Sequence, residues 1–176
     1  MDSIHLILLP LLLFLSHFPL VTEAQKPVAM ADSPFSDALK NLQKQIGYQF
    51  QDPILLQQAM THASFSIENN KALHIAGVNL IETAITLKYL NQNRDIEAKD
   101  LALKLLELTT EKACKESGVR LGLQKVVRVA TRTDTSTAIC GAFRALFGAI
   151  ALDSGKADAA IDVFSKISGS GLVFYL

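Results

Sequence analysis

The sequence lacks several features that would place it in a common functional class. It has no excess charge, because 17 lysine and arginine residues balance 17 aspartate and glutamate residues. This balance argues against a strongly basic nucleic-acid binder and against an acidic tail protein. No block of like charge, internal repeat or Asn-x-Ser/Thr sequon is visible. Since 49% of the 176 residues are hydrophobic, the chain can form one domain with a sizeable core.

The sequence also lacks the strict alternation of apolar and polar residues that predicts a half-buried strand. The nearest case, KVVRVAT, is short. Apolar residues recur instead at helical spacing, and capping signals such as Ser33-Pro34 and Gly47 bound them. We therefore predict an all-α helical bundle. The predicted helices cover 34–46, 53–60, 69–90, 96–117, 135–153 and 157–167.

The longest apolar run, residues 4–21, lies near the N-terminus. Thr22 and Ala24 place small residues where a signal peptidase reads them, so we interpret residues 1–24 as a cleaved signal peptide. This predicts delivery to the secretory pathway or endomembrane lumen. The alternative is an uncleaved membrane anchor, because no base precedes the run and about 18 residues approach a spanning length. We expect three further parts: a linker (25–33), one domain (34–168) and an apolar tail (169–176).

The chain contains two cysteines, Cys114 and Cys140. An oxidising lumen would allow them to pair. They fall on two different predicted helices, and we favour two buried free thiols. Cys114 is not predicted to be a nucleophile, because no histidine stands in a recognisable arrangement with it.

Four segments, in order along the chain, resemble the ribonuclease III domain. They correspond to that family's opening signature, its central motif (N-E-R-L-E-F-L-G-D-A-V-L), its LGL segment and its second motif (D-A-F-E-A-L-x-G-A-I-Y-L-D-x-G). The resemblance covers about residues 35–167 and implies the family's helical endonuclease-domain fold. The segments are IGYQFQDPILLQQAMTHASF (46–65), NKALHIAGVNLIE (70–82), ESGVRLGLQKVVRV (116–129) and CGAFRALFGAIALDSG (140–155).

The same resemblance implies that the family's catalytic acids are missing. In the family, four carboxylates from the central and second motifs hold magnesium, which activates a water. Magnesium needs oxygen ligands, so we predict no catalytic residue, no metal, no cofactor and no small-molecule substrate. Aligned on the motif glycines, the four positions hold His74, Val78, Gly141 and Arg144.

Two other acidic positions of the family's central motif differ in this sequence, because one is replaced and one is kept. The motif's first, non-metal glutamate falls on Lys71. Glu82 is retained, but it matches a position outside the metal cluster. The resemblance therefore implies a scaffold that survives without its metal-binding set.

Several residues have a functional and a structural interpretation. His62 could be a base, but we favour a structural role that orders its turn. A zinc site at His74 is disfavoured, because zinc needs three or four ligands. Arg144 could contact a phosphate, but we favour a solvated or ion-paired arginine. Six basic residues between 112 and 132 form a loose basic stretch. Acidic residues are interspersed among them, so we interpret the stretch as a solvated face. The six are Lys112, Lys115, Arg120, Lys125, Arg128 and Arg132.

The remaining expectations concern partners. In the family this domain forms a two-fold dimer around the central motif, so we expect the apolar face of 73–87 to serve a homodimer or a heterodimer. The chain resembles small plant members of the family that have an apolar leader, which implies an interaction role in karyogamy, the fusion of nuclei. The alternative is a binder or processor of double-stranded RNA, with or without residual ribonuclease III activity, although nothing in the composition indicates RNA.

Overall fold

The computed structural model describes residues 33–170, which form seven α-helices and one 3-10 helix at 123–125. Within this range the only strand-like pairing is an isolated bridge between Thr61 and Arg128, so the all-α prediction is confirmed. The predicted leader, most of the linker and residues 171–176 lie outside the described residues. The helices are α1 (Pro34–Ile46), α2 (Pro53–Ala59), α3 (Lys71–Gln92), α4 (Ala98–Leu108), α5 (Glu111–Arg120), α6 (Thr135–Ser154) and α7 (Ala157–Gly169).

Helix α6 is the centre of the fold and contacts α2, α3, α5 and α7. Edge-to-face contacts join Phe143 to Phe147 at 5.2 Å and Phe147 to Phe164 of α7 at 5.3 Å. By length and composition alone α6 is apolar enough to cross a membrane, but 61% of its most apolar window is buried inside the protein. Its hydrophobicity is that of a core helix covered by its neighbours.

Two glycines let α3 and α6 cross with their backbones in contact. A Cβ atom added to Gly77 would overlap the carbonyl group of Arg144. One added to Gly148 would overlap the carbonyl group of Leu73. Glycine is therefore required at both points, as in other helix pairs that approach closely. The crossing fixes which residues of α3 face which residues of α6.

The carboxylate of Asp153, near the end of α6, fixes the connection between α1 and α2. It accepts hydrogen bonds from the Tyr48 hydroxyl (2.7 Å) and from the backbone N–H groups of Gln51 (3.0 Å) and Asp52 (2.8 Å). Burial, followed by the hydrogen bond to Asp153, raises the pKa of Tyr48 to about 12. Asp52 in turn caps α2 by accepting from the Ile54 N–H.

The prediction of one helix over 96–117 is wrong, because the structure has two helices there. The Thr109 hydroxyl donates to the carbonyl group of Leu105 at 2.7 Å, where α4 ends. Thr110 then caps α5 by accepting from the Ala113 N–H at 3.2 Å. Threonine side chains compete in this way with the regular helical bonds and favour helix ends.

The prediction of free thiols is also wrong, because Cys114 and Cys140 form a disulfide. Helix α5 lies directly on α6, and the two Cα atoms are 5.1 Å apart, within the range that a disulfide spans. The bond therefore joins α5 covalently to the central helix.

Candidate functional site

Four positions of the motifs, which we call the degenerate positions, lie where α3 crosses α6. They are His74 and Val78 of α3 and Gly141 and Arg144 of α6. Gly141 faces the His74 ring, whose Nδ1 would lie 3.9 Å from a Cβ at position 141. These two residues line a pocket of about 210 Å³. Val78 and Arg144 line a second cavity of about 10 Å³ with Glu82. Each of the two cavities thus contains one of these positions from α3 and one from α6.

His74 is held at the crossing in an environment that favours the neutral ring. Burial lowers the pKa of its imidazole, the positive charge of Arg144 lowers it further, and a hydrogen bond with the Gly141 backbone acts in the opposite direction. Desolvation and a like charge both disfavour the imidazolium form. At neutral pH the ring is therefore an uncharged donor and acceptor.

Arg144 is held by the backbone, contrary to the expectation of a solvated or ion-paired side chain. Its Nη2 atom donates to the carbonyl oxygen of Thr109 at 2.7 Å. The C-terminal carbonyl groups of a helix lack intrahelical partners and favour a cation. Arg144 therefore caps the end of α4, and its guanidinium joins that helix to α6.

The side chains at the crossing do not fit magnesium. Val78 and Gly141 offer no side-chain donor, and the guanidinium of Arg144 would repel a cation. Glu82 lies nearby, but its side chain is solvent-exposed. Among residues 33–170, no three or more His, Cys, Asp and Glu side chains are grouped so that they could hold a metal ion.

His62 orders its turn, as the structural interpretation predicts. Its Nδ1 atom accepts from the Ser64 N–H at 3.1 Å and lies 2.9 Å from the Ser64 hydroxyl. The same hydroxyl accepts from the Ala130 N–H at 3.1 Å, which joins the turn to the segment that precedes α6. His62 also lines the pocket that contains His74.

Arg128 is a structural cation, so the prediction that it lies on a solvated face is wrong. Its guanidinium lies over the rings of Phe35 (4.2 Å) and Phe65 (5.0 Å). Its Nη2 and Nε atoms donate to the Thr61 hydroxyl at 2.6 and 3.2 Å. Burial lowers its pKa. These partners come from distant parts of the chain, so no local spacing could have revealed them.

The predicted apolar face of 73–87 divides between the core and the solvent. Leu73 and Ala84 are buried with the rest of the core, whereas Ala76 and Leu87 are exposed. The close crossing at Gly77 sets which side of α3 meets α6, so the helix buries Leu73, Gly77, Ile81, Ala84 and Ile85. Ile75, 66% exposed, is the large apolar side chain left free in the first half of α3.

Comparison with known proteins agrees with the motifs. A family profile described as Ribonuclease-III-like matches residues 52–169. The chain is 48% identical over 158 residues to Protein NUCLEAR FUSION DEFECTIVE 2 of Arabidopsis thaliana, covering 88% of this chain and 83% of that protein. It is 31% identical over 125 residues to Ribonuclease 3 of Delftia acidovorans, covering 68% of this chain and 55% of that protein. The chain thus spans about half the length of the ribonuclease 3 proteins it matches.

Two solved structures of the nuclease domain of ribonuclease III from Campylobacter jejuni share the fold. Their TM-scores are 0.68 and 0.69, each at 22% sequence identity. They cover 77% and 75% of this chain and 95% and 94% of the solved chains. One of them is described as showing flexibility in a region involved in dimer formation of that domain. The predicted ribonuclease III-like fold is therefore confirmed.

Proposed function

Because the chain belongs to the ribonuclease III-like family, we propose that it keeps the family scaffold without metal-dependent hydrolysis and acts as an interaction protein. One observation carries the proposal. The four positions that would supply metal-binding carboxylates converge at the α3–α6 crossing, yet they hold His74, Val78, Gly141 and Arg144. Arg144 is also engaged by the end of α4, which leaves a cation fixed where an active site needs anions.

The process in which this interaction takes place is proposed from the relative in Arabidopsis thaliana. The name of that protein refers to nuclear fusion, and the likeness to it extends over 88% of this chain. We propose that this chain likewise takes part in karyogamy. Its partner in that process would be another protein.

Delivery to the secretory or endomembrane lumen is part of the same proposal. The predicted signal peptide over residues 1–24 supports it, with a retained membrane anchor as the alternative. The disulfide between Cys114 and Cys140 supports it independently, because such bonds persist in oxidising compartments and are rare in the cytosol. Protease protection of the tagged chain in microsomes would test the location.

Self-association is the form of interaction that we propose first. The related nuclease domain from Campylobacter jejuni has a region involved in dimer formation. In this chain Ile75 of α3 is exposed, as is Ile67, just before that helix, at 98%. The variant Ile75→Asp should dissociate the dimer in sedimentation experiments. If the wild-type chain stayed monomeric at high concentration, self-association would be refuted. Heterodimer formation with another protein would then be the remaining form of interaction.

A cleavage assay tests the loss of hydrolysis. Purified protein is incubated with double-stranded RNA and magnesium, beside a variant that restores acids through His74→Glu, Val78→Asp, Gly141→Asp and Arg144→Glu. A matched control replaces the same residues with Gln, Asn, Asn and Gln. We expect cleavage only by the acid variant. Cleavage by the natural protein would refute the proposal.

A second candidate function is metal-independent binding of double-stranded RNA. The pocket of about 210 Å³ favours it, because His62, Lys71 and His74 line it and no acidic residue does. Such a site would bind phosphate oxygens directly. The salt dependence of RNA binding tests this candidate. The variant Lys71→Glu should weaken binding and reduce the slope of log K against log[salt] by about 1.

A further inference from the structure

Helices α4 and α5 form an arm that buries little of its own surface. We call residues 98–120 the α4–α5 arm. No residue of α4 is fully buried, and Leu103 and Leu106 are exposed. Helix α5 buries Cys114, Ser117 and Gly118, which are all small. The arm therefore gains less from hydrophobic burial than the other helices, each of which fully buries at least one Leu, Ile, Val or Phe.

The arm covers apolar residues of the protein core. Leu108 and Cys114 of the arm meet Ile81 of α3 and Phe143 of α6 around the cavity of about 10 Å³. That volume holds at most one water molecule, so the packing there leaves little free space. Phe143 is only 1% exposed. Movement of the arm away from α6 would expose these side chains to solvent.

The bonds that link the arm to α6 include a covalent bond and a side-chain hydrogen bond. One is the disulfide from Cys114 to Cys140, and the other is the hydrogen bond from Arg144 to the Thr109 carbonyl group. Gly118 allows the close approach, since a Cβ there would overlap the side chain of Ile139. The covalent bond is the stronger of the two, and it joins α5 directly to α6.

We propose that the Cys114–Cys140 disulfide is a redox latch for the α4–α5 arm. While the bond is oxidised, the arm stays on α6 and the apolar surface at Ile81 and Phe143 is covered. When it is reduced, the arm detaches locally while the rest of the helical bundle remains folded. The latch thereby makes the exposure of this surface depend on the thiol–disulfide balance of the compartment.

The redox step is an ordinary thiol–disulfide exchange. A thiolate of an external dithiol attacks one sulfur of the Cys114–Cys140 bond, which breaks and forms a mixed disulfide. The second thiol of the reagent then displaces the bound cysteine and closes the reagent's own disulfide. Two electrons and two protons pass to the cysteines. The return step consumes glutathione disulfide and releases two molecules of glutathione.

Hydrogen exchange followed by mass spectrometry tests the latch. Purified protein is compared before and after reduction with dithiothreitol, beside a Cys114→Ala/Cys140→Ala variant that cannot close the bond. We expect exchange in residues 98–120 to accelerate by about tenfold or more, while α1 and α7 change by less than about twofold. Binding of an apolar fluorescent dye should rise in parallel.

A matched variant separates the two bonds. Arg144→Gln removes the hydrogen bond to Thr109 and keeps the disulfide, so the arm should remain protected until dithiothreitol is added. Three outcomes would overturn the latch: exchange in residues 98–120 that is unchanged by reduction, exchange that accelerates equally in every helix, or an arm that opens in Arg144→Gln with the disulfide intact. The second outcome would mean that the disulfide stabilises the whole fold and not the arm in particular.

Discussion

The α3–α6 crossing predicts opposite effects for two glycine-to-alanine changes on the same helix. At Gly148 the new methyl group would overlap the backbone carbonyl of Leu73, which no side-chain rotation can relieve. At Gly141 its nearest neighbours would be His74 Nδ1 at 3.9 Å and Asn70 Nδ2 at 4.0 Å, which is ordinary contact. Both positions lie within α6, so the change in helix propensity is the same for both.

The magnitudes follow from two competing terms. Alanine is favoured over glycine in a helix interior by about 1 kcal/mol. Forcing a methyl group into a closed contact costs typically about 1–3 kcal/mol, occasionally more. Because the obstacle at Gly148 is backbone, we take the upper end and expect Gly148→Ala to lose about 2 kcal/mol net. Gly141→Ala should be neutral or gain up to about 1 kcal/mol.

Urea denaturation followed by circular dichroism measures both free energies of unfolding, without reductant so that the disulfide stays closed. Gly77→Ala, which would overlap the Arg144 carbonyl, should behave like Gly148→Ala. Gly169→Ala has open space around it and serves as a second tolerant control. If Gly148→Ala proved as stable as Gly141→Ala, the crossing could not be as close as described, and the convergence of the degenerate positions would lose its support.

Ionisable side chains give three more expectations. Burial and Arg144 lower the pKa of His74, so the folded state binds fewer protons than the unfolded state. The free energy of unfolding should therefore fall as pH drops below about 6.5 toward the folded pKa. The variant His74→Gln should flatten this dependence in denaturation midpoints measured across that range. Asp153→Ala removes the acceptor of three hydrogen bonds and should cost about 2–4 kcal/mol by urea denaturation, whereas Asp162→Ala, at an exposed site, should change stability by less than about 0.5 kcal/mol. Arg128→Lys loses the planar stacking and the paired donors to Thr61 and should cost about 1–2 kcal/mol in the same assay; an unchanged midpoint would mean that the guanidinium is not needed there.

The parts of the fold that sequence could predict are those with local causes. Helix α1 begins after Ser33, whose hydroxyl accepts from the Ser36 N–H, and ends at Gly47, whose φ is 67°. These signals lie within a few residues of the helix ends. The resemblance of the motifs then placed Gly77 and Gly148, and the structure brings both to the crossing.

The parts that sequence could not predict depend on contacts between distant segments. The Cys114–Cys140 pairing required α5 to lie on α6, which two cysteines 26 residues apart do not reveal. The same holds for Arg144 and Thr109, which are 35 residues apart. The break between α4 and α5 has a local cause, because the Thr109 and Thr110 side chains bond to the backbone at the two helix ends. Apolar residues continue at helical spacing through both helices, and this spacing alone predicts one helix.

The composition of α6 has a consequence for biosynthesis. Within this 20-residue helix the most apolar 18-residue window has a mean hydropathy of 1.5, although the helix has a core position in the finished protein. On the proposed route into the secretory pathway, this segment would pass unfolded through the translocation channel, where an apolar helix of such length can leave sideways into lipid. Arg144 is the tenth of its 20 residues, and a charged side chain at mid-span opposes insertion by about 2.5–3.5 kcal/mol. On that proposed route, Arg144 would therefore oppose the retention of α6 as a stop-transfer sequence.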